Sequence, residues 1–132
     1  MNLDSKAQMI VITGGAGFIG SNIAAALARR GERIAIYDWL GTGDKWKNIT
    51  KHRVWDIAAP ENCQEWLLTH KDEIAAVVHM GALSSTTETD VDLIVRLNLR
   101  LSLDLWESWG QRVDVYLRVV RGDVWRWCQW VR

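Results

Sequence analysis

At 132 residues, 48% hydrophobic and 24% charged, the chain has room for one domain and the composition of a globular protein. Its 16 Lys and Arg balance 16 Asp and Glu, so no overall field draws in nucleic acid or an anionic membrane surface. No apolar run approaches about 18 residues, Met1 to Ala7 lacks a signal-peptide core, and Cys63 and Cys128 make neither a metal spacing nor a disulfide framework; a cytoplasmic protein with no metal, nucleic-acid or membrane partner is expected.

The apolar run Met9-Ile10-Val11-Ile12 reads as a strand, and a helical stretch runs from Phe18 to Arg30. Between them, Thr13-Gly14-Gly15-Ala16-Gly17-Phe18-Ile19-Gly20 spaces glycines at 14, 17 and 20. Strand, glycine turn and helix together form a phosphate cradle. Gly14 supplies the positive φ of a tight turn. Gly17 lets a pyrophosphate approach the backbone without meeting a Cβ, and Gly20 lets the helix lie close. The free amides and the positive end of the helix dipole hold the phosphates.

Gly31 stops the helix, and Arg33-Ile34-Ala35-Ile36-Tyr37-Asp38 is a second strand ending in an acid placed to accept ribose hydroxyls. The loop 39–50 carries Lys45 and Lys47, which read either as solvated loop lysines or as partners of a 2′-phosphate. Its Asn48-Ile49-Thr50 matches a glycosylation triplet that, with no secretion signal, is read as chance. A short strand Arg53-Val54-Trp55 follows and ends in Asp56-Ile57, a pair able to clamp an adenine between carboxylate and side chain.

A helix is expected from Pro60 to about His70, with Pro in its first turn. Ile74-Ala75-Ala76-Val77-Val78-His79 reads as a fully buried parallel strand. A long helix from about Val91 to Trp109 puts Leu93, Ile94, Leu97, Leu101 and Leu105 on one face. Cys63, His52 and His70 read as isolated surface residues. The pattern is α/β, the N-terminal part of a Rossmann doubly wound parallel sheet, truncated, with expected strand order 3-2-1-4.

Two stretches resemble known families. The glycine spacing is that of the extended short-chain dehydrogenase/reductases. His79-Met80-Gly81-Ala82-Leu83-Ser84-Ser85-Thr86-Thr87-Glu88 resembles the HxGAxSSTTE stretch of the ADP-L-glycero-D-manno-heptose 6-epimerases. Those enzymes invert a sugar carbon in a lipopolysaccharide precursor with tightly bound NADP. The resemblance runs from about Met9 to Leu105. It implies that Phe18 and Ile19 cover the pyrophosphate, and that Asp38, Trp39 and Lys45 line the adenosine ribose. It also implies that Met80, Gly81, Ala82, Leu83 and Ser84 run along the nicotinamide side, with Asn98 on the helix beside the active site. Trp39 replaces a polar residue of some relatives and Met80 an acid of others. The cofactor implied is NADP, with NAD as the alternative; ADP-heptose is implied as a partner only of a full-length relative, and no oligomeric state is implied.

Residues 112–132 depart from this text, with five Arg, no Lys, and Trp125, Trp127 and Trp130 close together. They read either as an interaction arm or as a product of the genetic code. Back-translating Val115 to Arg132 with permitted codons and dropping the first nucleotide gives F-I-Y-A-S-S-A-A-T-Y-G-D-G-A-S-G-F. That reading contains the Tyr-Ala-Ser-Ser and Ala-Ala-Thr-Tyr-Gly runs with which the family continues. Residues 1–111 are therefore expected to be a partial dinucleotide-binding domain and 112–132 an aberrant, frameshifted tail. The family's catalytic Tyr-x-x-x-Lys is lacking: neither Tyr37 nor Tyr116 has Lys four positions on. The sequence thus assigns no catalytic residue and predicts an inactive chain. It also predicts an open edge at the fourth strand, against which Val113, Val115, Leu117 and Val119 can pair while Trp125 to Trp130 pack poorly.

Overall fold

The computed structural model describes residues 8–85, 87–121 and 124–128, with backbone alone from 117 onward. Its centre is a sheet of order β3-β2-β1-β4-β5-β6, built from β1 (Met9–Thr13), β2 (Arg33–Tyr37), β3 (Asp56–Ala58), β4 (Ile74–His79), β5 (Asp114–Arg121) and β6 (Val124–Cys128). The first five strands run parallel and β6 returns antiparallel to β5. The helices are α1 (Phe18–Arg29), α2 (Cys63–Thr69), α3 (Val91–Val95) and α4 (Leu101–Trp109).

Alternation along the strands divides the core into two. Met9, Val11, Ala35, Tyr37 and Val77 face Cys63 and Leu67 of α2 and Leu105 and Trp109 of α4. Ile12, Ile34, Ile36 and Val78 join Ala24 of α1 on the other side. Both sheet faces are covered, as a parallel sheet requires. Gly31, at φ 85°, ends α1 in the left-handed region, as the sequence implies.

Several elements differ from the sequence expectations. The third strand lies at Asp56–Ala58 rather than Arg53–Trp55. Trp55 is used as an edge platform instead: the Arg33 guanidinium sits 3.9 Å from its ring centre, and Trp66 and His70 meet it edge-on. Pro60–Asn62 form a 3₁₀ turn before α2, a tightened turn of the kind common at helix N-termini, with Pro at its start as expected. The long helix is split by a π-helical turn, Arg96–Arg100, between α3 and α4. Its expected inner face holds nonetheless, with Leu105 buried and Leu93, Ile94, Leu97 and Leu101 partly so. Cys63 is a core residue, not a surface one, at 1% exposure, and burial pushes its thiol up to about 12. His70 is half-buried and stacks on Trp66, and both ring nitrogens of half-buried His52 lie buried.

The edge of β4 is not open. Ala76 to His79 pair with Asp114 to Leu117, and Val115 is buried in the core beside Trp109. The expectation about Trp125 to Trp130 concerns side chains outside the described residues. If β5 belongs to the core, Val115→Asp buries an unpaired charge and lowers unfolding free energy by about 3 kcal/mol or more, measured by urea denaturation. A change within about 0.5 kcal/mol, the usual size for a surface site, would remove β5 from the core.

Candidate dinucleotide-binding site

The carboxyl ends of β1, β2 and β4 border a cavity of about 800 Å³. The chain leaves β1 toward β2 on one side and returns to β4 on the other, so the cavity lies at the switch point of the sheet. Ligands of open α/β sheets bind at that point.

One wall is the glycine turn. Gly14 sits at φ 65°, and its amide donates to the Tyr37 carbonyl at 2.7 Å. A Cβ on Gly14 would lie 2.7 Å from the Gly81 Cα, so the turn and the loop after β4 meet backbone to backbone. A Cβ on Gly20 would run into the Gly14 carbonyl and the Gly15 Cα, so this glycine brings α1 against the turn itself. Gly17 is the N-cap of α1 and offers no side-chain acceptor, and the first turn carries no acid. The first-turn amides of a helix lack intrahelical partners, and here they border the cavity beside Gly17, Phe18 and Ile19. A Cβ on Gly17 would touch only the Gly14 carbonyl, at 3.3 Å. The space it would fill opens to the cavity.

The peptide of Ala16 is held from both sides: its amide donates to Asp38 Oδ2 at 2.9 Å, and its carbonyl accepts from Asn48 Nδ2 at 2.8 Å. Asn48, read from the sequence as a chance triplet, thus braces the turn. Asp38 Oδ1 accepts from Lys45 Nζ at 2.5 Å, and Lys45 also reaches the Trp39 carbonyl at 3.0 Å. Both Asp38 oxygens therefore have a protein donor already, and ribose hydroxyls would use the remaining lone pairs. Trp39 is anchored by its indole N–H on Glu61.

The opposite wall is the loop after β4. Met80, Gly81, Ala82, Leu83 and Ser84 all border the cavity, as does Asn98 from the π turn. Asn98 clamps Leu83, accepting from its amide at 2.6 Å and donating to its carbonyl at 3.0 Å. Asp56 and Ile57 are the two expected site residues outside the cavity lining. The Asp56 carboxylate is committed to the Trp66 indole N–H and the Ile57 amide, each at 2.8 Å.

Sequence reasoning passed over Thr13, Tyr37, Cys63, His79 and Ser102, which also border the cavity. Thr13, Tyr37 and His79 end β1, β2 and β4, and Ser102 is four residues beyond Asn98. Position at a strand's carboxyl end, or one helical turn from a site residue, is the signal that finds four of them; Cys63, the first residue of α2, carries no such signal. Among the described residues no group of three or more His, Cys, Asp or Glu could hold a metal, and no helix is long and apolar enough to cross a membrane.

A glycine turn capping a helix at the switch point of a parallel sheet defines an α/β protein of the Rossmann kind. The comparisons place it more closely: residues 10–120 match the NAD dependent epimerase/dehydratase family, and the chain belongs to that family. It is 41% identical over 112 residues to the ADP-L-glycero-D-manno-heptose-6-epimerase of Fusobacterium nucleatum, covering 83% of this chain and 34% of that protein. It is 44% identical over 103 residues to the enzyme of the same name from Nitratidesulfovibrio vulgaris, covering 75% and 32%. The chain thus spans about a third of the length of these relatives. Among solved structures, UDP-glucose 4-epimerase from Brucella ovis in complex with NAD is similar at a TM-score of 0.63 and 27% identity, over 83% of this chain and 34% of that one. UDP-N-acetylglucosamine 4-epimerase from Methanobrevibacter ruminantium gives 0.66 and 26%, over 82% and 36%. The family match extends past Asp114, into the region where the sequence changes character.

His79 is 4% exposed, and burial pulls its pKa down to about 4. The unfolded chain, with an ordinary His pKa near 6.5, binds more protons between those values, so this group contributes stability that is lost as pH falls from about 6.5 to about 4. The loss amounts to roughly 3 kcal/mol. Urea denaturation of the wild type and of His79→Gln across that range should show the difference between them shrinking toward low pH. A constant difference would mean that His79 takes up its proton at the same pH in the folded and unfolded chain, and that burial does not lower its pKa.

Proposed function

We propose that this chain is the dinucleotide-binding portion of a cytoplasmic ADP-L-glycero-D-manno-heptose 6-epimerase of lipopolysaccharide precursor synthesis, that it binds NADP in preference to NAD, and that alone it does not epimerise. The observation that carries the reading is the side-chain-free N-terminus of α1, facing a cavity walled by Asp38 and Lys45 on one side and Met80–Ser84 on the other. A pyrophosphate fits there, since backbone amides and the helix dipole supply the positive field. Lys45 turns from Asp38 toward a 2′-phosphate. Asn98 and the small residues Gly81 and Ala82 shape the wall along which the nicotinamide half lies. When bound, NADP supplies the ring that takes and returns a hydride.

The 41–44% identity to ADP-heptose epimerases favours that sugar class over the UDP-sugars of the solved neighbours. The chain's 132 residues contain no Tyr-x-x-x-Lys, the pair to which the resemblance assigns movement of the hydroxyl proton. A frame change near Asp114/Val115 accounts for its residues beyond that point. Removing one nucleotide near codon 115 restores a frame running on to Tyr-x-x-x-Lys; a locus without that frame refutes the account.

Fluorescence titration of the whole chain with NADPH and NADH tests the cofactor. NADPH binds the tighter, and Gly17→Val weakens both by more than about 100-fold through a clash with the pyrophosphate. Lys45→Ala weakens NADPH by about tenfold or more, the value of a hydrogen bond to charge, and NADH little. Unchanged binding in Gly17→Val would refute the site, tighter NADH would refute the 2′-phosphate role of Lys45, and turnover of ADP-heptose would refute inactivity.

A further inference from the structure

Beneath the cavity, side chains from β1, β4 and α4 form a run of hydrogen bonds whose direction can be deduced. The Ser102 hydroxyl donates to the Asn98 carbonyl at 3.2 Å, a back-bond to the preceding turn. Its single hydrogen is thereby used. Ser102 Oγ also lies 2.9 Å from His79 Nε2, so in that pair the imidazole must donate and Nε2 carries the proton. At the other nitrogen, His79 Nδ1 is 2.5 Å from Thr13 Oγ1, and Thr13 Oγ1 accepts from the Gly81 amide at 3.1 Å. A neutral ring with Nε2–H accepts the Thr13 hydrogen at Nδ1, and every donor in the run then has an acceptor. With an imidazolium or the other tautomer, a buried hydroxyl hydrogen or ring nitrogen loses its partner, which costs free energy.

This run holds the loop after β4 at its root. Gly81 is tied to β1 through Thr13, and Leu83 is tied to the π turn through the Asn98 side chain. The Asn98 carbonyl also receives Ser102, so the two ties meet at one residue. We infer that His79 is a positioning residue, a neutral Nε2–H imidazole linking the Gly81 amide through Thr13 to Ser102, which sets the Met80–Ser84 loop at the height the dinucleotide requires. The last clause rests on the cofactor reading above; the direction of the hydrogen bonds does not.

Nitrogen-15 NMR of the labelled whole chain reads the ring directly. The expected result is one tautomer at pH 7, with the proton on Nε2 and Nδ1 unprotonated. A proton on Nδ1, a doubly protonated ring, or rapid averaging between tautomers overturns the inference. Amide exchange then tests the linkage. Ser102→Ala does not touch Gly81, yet it should speed exchange at Gly81 by about tenfold, with Val11 and Val77 in the sheet unchanged. Thr13→Val, which removes the acceptor itself, sets the upper limit. Unaltered Gly81 exchange in Ser102→Ala overturns the linkage, as does acceleration spread evenly over the sheet. NADPH should bind Ser102→Ala several-fold more weakly, and equal affinity overturns the positioning role. If the wild type binds no dinucleotide, the cofactor reading and the last clause of this inference fail together, and the ring tautomer still decides the hydrogen-bond direction.

Discussion

The cavity exists because two backbones touch without side chains between them. At Gly14 the chain turns out of β1 with φ 65°, and the nearest atoms to a Cβ there would belong to Met80 and Gly81. Any larger residue forces the first crossover and the loop after β4 apart. That separation would break the Thr13 to Gly81 contact and displace the start of α1. Gly20 repeats the constraint within the first turn of the helix, against the Gly14 carbonyl. The geometry of the turn and the helix start is thus set by the absence of atoms, and the sheet fixes it through the Gly14 amide on the Tyr37 carbonyl.

Polar side chains then brace this contact from outside. Asp38 and Asn48 hold the Ala16 peptide, Thr13 and His79 hold Gly81, and Asn98 holds Leu83. Each tie is worth about 1 kcal/mol, and the amides at the start of α1 have no side-chain cap. Of the residues bordering the cavity, Lys45 is the cation, and it is paired with Asp38. The positive field at the cavity therefore comes mainly from backbone amides and the helix dipole, with the Asp38–Lys45 pair beside it.

What was legible in the sequence was local. The glycine spacing, the apolar runs of β1, β2 and β4, and the inner face of the last helix follow from turn chemistry and periodicity. They appear in the structure close to where the sequence places them. What depended on partners distant in sequence was not legible. Trp55 looks like a strand residue until Arg33, Trp66 and His70 are brought beside it, and the strand then forms three residues later. Cys63 looks isolated until α2 packs on Tyr37 and Val77. The π turn follows from no periodic signal, yet it carries Asn98 to Leu83. The pairing of β5 with β4 is legible in the alternation of Val113, Val115, Leu117 and Val119, whereas the burial of Val115 beside Trp109 is not.

The most direct test of the central claim, that a dinucleotide lies across the Gly14–Gly20 turn and against Gly81, is a map of backbone amide shifts on adding NADP⁺ to the labelled chain. The account predicts the largest changes at Gly17, Phe18, Ile19 and Gly81, with smaller ones at Asp38 and Leu83. Changes confined to the outer face around Trp55 and Trp66, or none at saturating ligand, would contradict it.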